Sequence, residues 1–540
     1  MQGKVCIIIP AIKKNAVIPD QLVKKLNGIT LFQRALNNAK GVVPAKDVYT
    51  VTDSHELSLI CKRNQVAFFL NPEIRIHSQN ILKELEGFIE LKSKQYDTII
   101  IYRANTPLVN SDDLNKALSK FITDKPDLLF SLKEENHRIW KEREGDLYDI
   151  ILDDEKEKVF LESKSFVIVR SSYLHKKDKK PPLISSYLLS NEKAIEILSY
   201  QDWWICEKLI CRKRILFVVA GYAAIGMGHV YRALTLAHEI NDHEILFLCT
   251  RESELAVTNI VVRDYPTFLQ KGKLIEDVLE LKPDLVINDF LNTDKTYVNR
   301  LKAKQIKVVN FEDLGTGSEQ TDITFNELYD KNQFELKGTN IQWGPSFFFL
   351  RDEFSHSVKR PPLKQIKNVL ITFGGTDPNN YTLKVLQSVE KACKLKNLNI
   401  TVVVGPGNLH KEKIQHFILQ SSRRKHIQFI SGTNVMSAIM ENTDIAICSA
   451  GRTVYELAHM KIPALVLAQH ERESFHTFAR IKNGFIYIGV QNPFNSIKIE
   501  RAFYKLLNAK NSLLLQNKMR HFDFYKNKFK VVNMILSLLN

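Results

Sequence analysis

The sequence predicts an α/β protein of three consecutive units, each built on a parallel sheet. Three observations carry this prediction. Short β-branched runs alternate with helical patterns along the whole chain, which is the sequence form of parallel α/β sheets. The pattern restarts twice after a break: at Ile215, following Cys211-Arg212-Lys213-Arg214, and at Val369, following the polar stretch 355–367 with Pro361-Pro362. Each fresh strand then runs into a glycine-containing turn, the place where open α/β sheets bind phosphate-bearing ligands. The units are therefore 1–211, 212–355 and 356–540, in keeping with about 150 residues per domain.

In chain order the expected strands are 5–10, 48–52, 98–102, 215–220, 285–288, 307–311, 369–373, 401–404, 445–448 and 464–468. Residues 176–182 resemble a linker in composition, but the α/β pattern resumes on both sides, so they read as a surface loop of the first unit.

Composition narrows the class. Hydrophobic residues make up 44% and charged residues 25%, without a low-complexity tract, which argues against disorder. No run approaches the roughly 20 apolar residues of a membrane span, and 5–10 reads as a core strand instead of a signal peptide, so a cytoplasmic protein is expected. Seven cysteines lie without CxxC spacing, and Cys6, Cys249 and Cys448 fall inside apolar runs, which favours reduced thiols over disulfides or zinc. The net charge of +16 is spread widely with no nucleic-acid-binding signature, so no nucleic-acid partner is expected; a general attraction to anionic substrates or surfaces follows instead. In the tail, Lys505, Lys510, Lys518, Arg520, Lys526, Lys528 and Lys530 surround apolar positions. That pattern fits a solvated helix face, with peripheral membrane contact as the alternative.

The chemistry concentrates after the fresh strands. Gly226 and Gly228 let the backbone approach a ligand closely, and the helix beginning there offers unpaired N–H groups to an anion. His229 stands in that turn, facing the ligand, with Arg232 one turn on. In the last unit Gly374, Gly375, Thr376 and Asp377 form a second turn suited to phosphate oxygens. Ser449, Ala450, Gly451, Arg452 and Thr453 form a third, and Glu456 follows within reach of a ribose. Alternatives are an ordinary strand-to-helix turn for Gly374 and Gly375, and a capping or surface carboxylate for Glu456.

The ordered set GMGHVYR, LVINDF, NFED, FNE, GPSFFFLRDEF, FGGTDPNN and SAGRTVYELA resembles the UDP-sugar hydrolases of pseudaminic acid biosynthesis, relatives of the MurG glycosyltransferases with a two-lobed GT-B fold. The resemblance covers 212–490. It implies inverting attack of water on the anomeric carbon with release of UDP and no metal. It makes His229 the base, places Gly374, Gly375 and Thr376 on the pyrophosphate and Ser449 to Thr453 with Glu456 on the nucleotide, and sets Asp289 and Asn326 near the sugar. One departure stands out: where the family carries an Asn-Gln pair after the strand ending at Ala468, this chain has Gln469-His470-Glu471-Arg472-Glu473. That bears on the sugar, and on water against a sugar acceptor.

Residues 1–211 resemble the cytidylyltransferases that make CMP-activated acylneuraminates, through IIIPA, Ile18-Pro19, Leu26-Asn27-Gly28, Thr52-Asp53-Ser54, Asn105-Thr106-Pro107-Leu108 and Ile195-Glu196-Ile197 leading to Asp202. This implies a nucleotidyltransferase-like Rossmann-type domain with a CTP or CMP-sugar site, and a homodimer. The family's glycine-rich triphosphate loop reads Ile12-Lys13-Lys14-Asn15-Ala16-Val17, without glycine. Its Asp-x-Asp magnesium site reads Glu196-Ile197-Leu198, with one carboxylate. Lys13, Lys14, Asp53 and Glu196 are what remains of the site. A degenerate domain is the favoured expectation; an active, magnesium-dependent one is the alternative, and a third reading leaves Lys13 and Lys14 solvated and Arg103 on the surface. For the whole chain the alternatives to a hydrolase are a glycosyltransferase using the same cleft and a non-catalytic sugar-nucleotide-binding scaffold.

Overall fold

A computed structural model describes residues 3–14, 18–74, 81–137, 139–143, 146–149, 158–175, 181–222, 225–355, 360–433 and 435–539. Parts of four sequence features fall outside the described residues: Asn15-Ala16-Val17, most of the loop 176–182, Ala223-Ala224 of the first glycine turn, and 356–359 of the polar break. The chain divides into two compact units, Met1–Arg212 and Lys213–Asn540.

In the first unit seven strands form one sheet in the order Ile184–Leu188, Leu128–Glu135, Val159–Arg170, Thr98–Tyr102, Val5–Ala11, Val48–Thr52, Ala67–Leu70. The central Val5–Ala11 is parallel to both neighbours. Val159–Arg170, however, runs antiparallel to both of its neighbours, so the sheet is mixed and not purely parallel as the alternation predicts. The reason is its connection: among the described residues of 136–158 no helix carries the chain back across the sheet, so the strand returns in the opposite sense. Helices are started by local chemistry. Asn110 and Asp113 form a capping box at the start of Ser111–Asp124, and Thr30 accepts from the Gln33 N–H to open Leu31–Lys40.

The second unit has two lobes with fully parallel sheets. The first orders its strands Thr267–Leu269, Glu244–Cys249, Arg214–Val219, Leu285–Asp289, Lys307–Phe311, Ile323–Asn326, Ile341–Trp343; the second, Ile427–Ser431, Asn399–Val404, Asn368–Thr372, Ile445–Ser449, Ala464–Ala468, Phe485–Val490. In each lobe the first strand lies centrally, with later strands winding off in opposite directions on its two sides. The winding reverses between Arg214–Val219 and Leu285–Asp289 in one lobe and between Asn368–Thr372 and Ile445–Ser449 in the other. A crevice opens at the carboxyl ends of the strands at each such switch point. Both glycine turns therefore follow a strand that borders the switch point of its sheet.

The last helix, Tyr525–Leu536, does not stay with the lobe that precedes it in sequence. Its apolar face, Val531, Val532 and Ile535, joins the core of the first lobe with Val309, Phe311 and Phe347. Lys528 on that helix is 2% exposed and pairs with Glu239 at 2.5 Å and with Asp352. This corrects the solvated-face expectation for Lys528, since burying the apolar face carries the lysine against two carboxylates. Lys505, Lys510, Lys518, Arg520, Lys526 and Lys530 remain exposed. All seven cysteines are free thiols, six of them buried, with Cys211 exposed. No helix among the described residues is long and apolar enough to cross a membrane.

Candidate functional site

The two lobes of the second unit face each other across a cleft with a cavity volume of about 280 Å³. Its first wall begins at the turn after Arg214–Val219. Gly226 has φ 82°, a conformation that costs a side chain dearly, and Gly374, in the corresponding turn of the other lobe, has φ 78°. The turns meet closely: a Cβ on Gly375 would stand 3.2 Å from the Met227 nitrogen. Of the residues singled out from sequence, Gly226, Gly228, His229, Arg232, Gly374, Gly375, Thr376, Ser449, Gly451, Arg452, Thr453 and Glu456 line this cleft.

His229 is the second residue of the helix Gly228–Ala237 and is 7% exposed. Its Nδ1 lies 2.6 Å from Asp289 Oδ1, at the carboxyl end of the neighbouring strand. Burial pushes the Asp289 carboxyl up, but Arg232 and His229 outweigh burial and hold it below its ordinary range. An ionised Asp289 fixes the imidazole proton on Nδ1, which donates, and leaves Nε2 as the basic atom.

Arg232 is fully buried behind this pair. Its Nε donates to Asp289 Oδ2 at 2.7 Å, Nη2 to Asp289 Oδ1 at 2.5 Å, and Nη1 to Glu312 Oε1 and Glu327 Oε1, each at 2.5 Å. Arg452, from the other lobe, reaches the same Glu327 oxygen at 2.7 Å and the Phe349 carbonyl at 3.1 Å. Burial opposes charge on Arg232, and the three carboxylates more than compensate, so it stays charged. Burial also pushes Glu312 up, yet Arg232 and His229 hold it well below the usual carboxylate range; for Glu327 burial prevails and its pKa is raised.

Five of the residues assigned from sequence are engaged with other groups of the protein. Arg232 spends its guanidinium on carboxylates and acts as a brace beneath His229. Asp289 is buried against His229 Nδ1 and Arg232. Asn326 is fully buried and donates to the Asp313 carbonyl at 3.0 Å. Asp377 caps a helix: its carboxylate accepts from Tyr381 N–H and Thr382 N–H, both at 2.8 Å, because that helix begins within four residues of the turn. Ala450 is engaged through its backbone: its carbonyl accepts from His476 Nδ1 at 2.7 Å and its N–H donates to Glu473.

Glu456 lines the cleft but is held by Arg351 at 3.0 Å, and Arg351 also pairs with Glu353 at 2.7 Å. The helix Thr453–His459 that carries Glu456 is fixed by stacked rings: Tyr455 lies 3.9 Å from Phe348 on one face and 4.2 Å from Phe478 on the other, centroid to centroid. Glu312, Arg351, Gln469, His470, Arg472, Glu473 and His476 also line the cleft without having been assigned a role from sequence. Glu312 and Arg351 lie inside recognised motifs; Gln469, His470, Arg472 and Glu473 occupy the stretch that departs from the pattern of the resemblance, and His476 follows it.

In the first unit Asp53 accepts from the Lys13 N–H at 2.7 Å and the Lys14 N–H at 2.9 Å. The Lys13 ammonium pairs with Glu56 at 2.6 Å and Asp20 at 3.0 Å, and that of Lys14 donates to the Pro72 carbonyl at 3.1 Å. Glu196 Oε1 accepts from Arg103 at 3.2 Å and Asn105 at 3.0 Å. Arg103 is 9% exposed, so it is not the surface residue of the alternative reading: its partner draws it inward.

Two parallel α/β lobes, a glycine turn from each on one cleft, and a last helix returning to the first lobe define a GT-B-type fold. Residues 369–526 match the Glycosyltransferase family 28 C-terminal domain. Similar proteins include an uncharacterised protein of Methanocaldococcus jannaschii, 30% identical over 286 residues covering 49% of this chain and 58% of the relative. The spore coat polysaccharide biosynthesis protein SpsG of Bacillus subtilis is 27% identical over 277 residues, 49% of this chain and 80% of the relative. The pseudaminic acid cytidylyltransferase and UDP-2,4-diacetamido-2,4,6-trideoxy-beta-L-altropyranose hydrolase of Helicobacter pylori is 27% identical over 192 residues, 33% of this chain and 34% of the relative. The chain thus spans little more than half of the first of these and a third of the last.

Proposed function

We propose that the cleft of the second unit binds a UDP-sugar and transfers its glycosyl group to water. The observation that carries this reading is the His229–Asp289 pair, 2.6 Å apart, beside the first glycine turn in the cleft shared with the second. Water oxygen attacks the anomeric carbon, its proton passes to His229 Nε2, and the bond to the β-phosphate oxygen breaks with its electron pair leaving on UDP. Backbone N–H groups at the Gly374–Thr376 turn and at Thr453–His459 receive the developing charge, so UDP binding is expected to persist in EDTA. Transfer to a sugar acceptor is the second reading, favoured by the family 28 match of the second lobe.

The test is to incubate the protein with a panel of UDP-sugars in EDTA and follow UDP. Release without acceptor, lowered about 100-fold or more in His229→Asn with UDP affinity intact, supports hydrolysis by a general base. Release only with added acceptor selects the transferase; unchanged turnover in the variant removes His229 from the chemistry.

For the first unit we infer a nucleotidyltransferase-like domain without transfer activity. The residues present do not fit a magnesium ion: the Glu196 carboxylate is paired with Arg103, and Leu198 stands where a second carboxylate is needed.

A further inference from the structure

The corner of the cleft formed by Gln469 to His476 is rich in hydrogen-bond acceptors. His476 is 6% exposed; its Nδ1 donates to the Ala450 carbonyl, which leaves Nε2 as an acceptor, and this buried nitrogen has no partner. Burial lowers the pKa of His476 and keeps it neutral against the pull of Glu312. Its ring is fixed edge-on against Tyr329 at 5.1 Å. Glu473 places Oε2 on the Gln469 N–H at 2.8 Å, also accepts from the Ala450 N–H, and holds Oε1 beside Gly451 in the cleft lining. Burial, helped by Glu312, pushes this carboxyl up to about 7.

Glu312 completes the corner. It sits at φ 50°, a conformation rare for a residue with a side chain, held by Arg232 through Oε1. The nearby guanidinium of Arg472 is committed: its nitrogens donate to the Tyr329 hydroxyl at 3.0 Å, Asn292 Oδ1 at 3.1 Å and the Glu312 carbonyl at 2.5 Å. Glu312, Glu473 and His476 thus line the same cleft, and a buried acceptor left unpaired is costly enough to favour any ligand that supplies a donor.

We propose that the sugar half of this cleft selects a glycosyl group carrying a free amine, whose ammonium is received by Glu312, Glu473 and His476. The proposal rests on the UDP-sugar reading above. An ammonium brings three donors and no acceptor, its charge matches ionised Glu312, and it favours the ionised form of Glu473. An acetamido group offers one N–H and turns a carbonyl oxygen toward three acceptors.

Calorimetric titration of the full chain near pH 7 tests this, with UDP alone and with UDP-hexosamines bearing an amine at C2 or at C4, each against its N-acetylated counterpart. The expected result is binding of UDP, and one amine bound at least about tenfold more tightly than its acetamide, the size of one charge-assisted hydrogen bond. Glu473→Gln, which keeps the contact to the Gln469 N–H, removes most of that preference while UDP affinity holds within about twofold; His476→Phe does the same if it folds. Acetamides bound as well as or better than both amines, with UDP still bound, overturn the amine assignment alone. Loss of UDP binding itself sinks the nucleotide-sugar reading and this one with it.

Discussion

Asp289 decides which nitrogen of His229 holds the proton. With the carboxylate ionised, the 2.6 Å contact is a hydrogen bond donated by Nδ1, and Nε2 is free to accept a proton. In Asp289→Asn the side-chain amide oxygen still accepts from Arg232, while its NH₂ now donates to Nδ1 and shifts the ring proton to Nε2. The base is then lost without loss of the ring. Arg232 keeps Glu312 and Glu327 as counter-charges, so the network beneath the helix survives. We expect turnover of a UDP-sugar to fall by about 100-fold or more with UDP affinity unchanged, read from steady-state rates beside calorimetry. A rate within a few-fold of the parent assigns Asp289 to structure alone.

At the scale of elements, the Gly374–Gly375 turn, which we propose receives the phosphates, depends on a glycine just past the strand beside it. A Cβ on Gly405 would fall 2.3 Å from Gly375 Cα and 2.4 Å from its carbonyl oxygen, both backbone atoms that cannot rotate away. Gly405→Ala must therefore displace the Gly374–Gly375 turn. We expect UDP affinity to drop about tenfold or more, with a stability loss of roughly 1–3 kcal/mol as for other overpacked sites, measured by titration and thermal melting; unaltered affinity separates that turn from the pyrophosphate. Elements of this kind were the most readable in the sequence. Central strands such as Arg214–Val219 and Ala464–Ala468 are covered on both faces and so appear as unbroken apolar runs. Edge strands such as Thr267–Leu269 and Ile341–Trp343 are three residues long and only partly buried, too short to leave a pattern. The glycine turns are local and were legible too. The bracing of His229 was not, because Arg232, Glu312 and Glu327 come from one helix and the ends of two different strands, and only the parallel sheet brings them together. Glu473 stayed hidden for the same reason, in the stretch that departs from the pattern of the resemblance, and His476 three residues beyond it.

At the scale of the whole molecule, the chain is two units whose boundary falls between Arg212 and Lys213, and each holds its own buried core. Residues 213–540 contain every group named in the cleft, so this fragment should fold alone and bind UDP as the full chain does. Residues 1–212 should fold as well, and their chemistry is the sharper question. Transfer from CTP requires the triphosphate to be held and its developing charge neutralised. In this unit the candidate groups are engaged with each other: Asp53 with the backbone of Lys13 and Lys14, the Lys13 ammonium with Glu56 and Asp20, and Glu196 with Arg103. Binding a magnesium triphosphate would mean breaking these pairs, with one carboxylate at Glu196 and none at Leu198 to hold the ion. We therefore expect fragment 1–212 to release little or no pyrophosphate from CTP with magnesium and any nonulosonic acid, in a coupled phosphate assay. Robust release overturns this, and then Lys13, Lys14 and Glu196 must exchange their present partners for the nucleotide, so that alanine at each abolishes the activity.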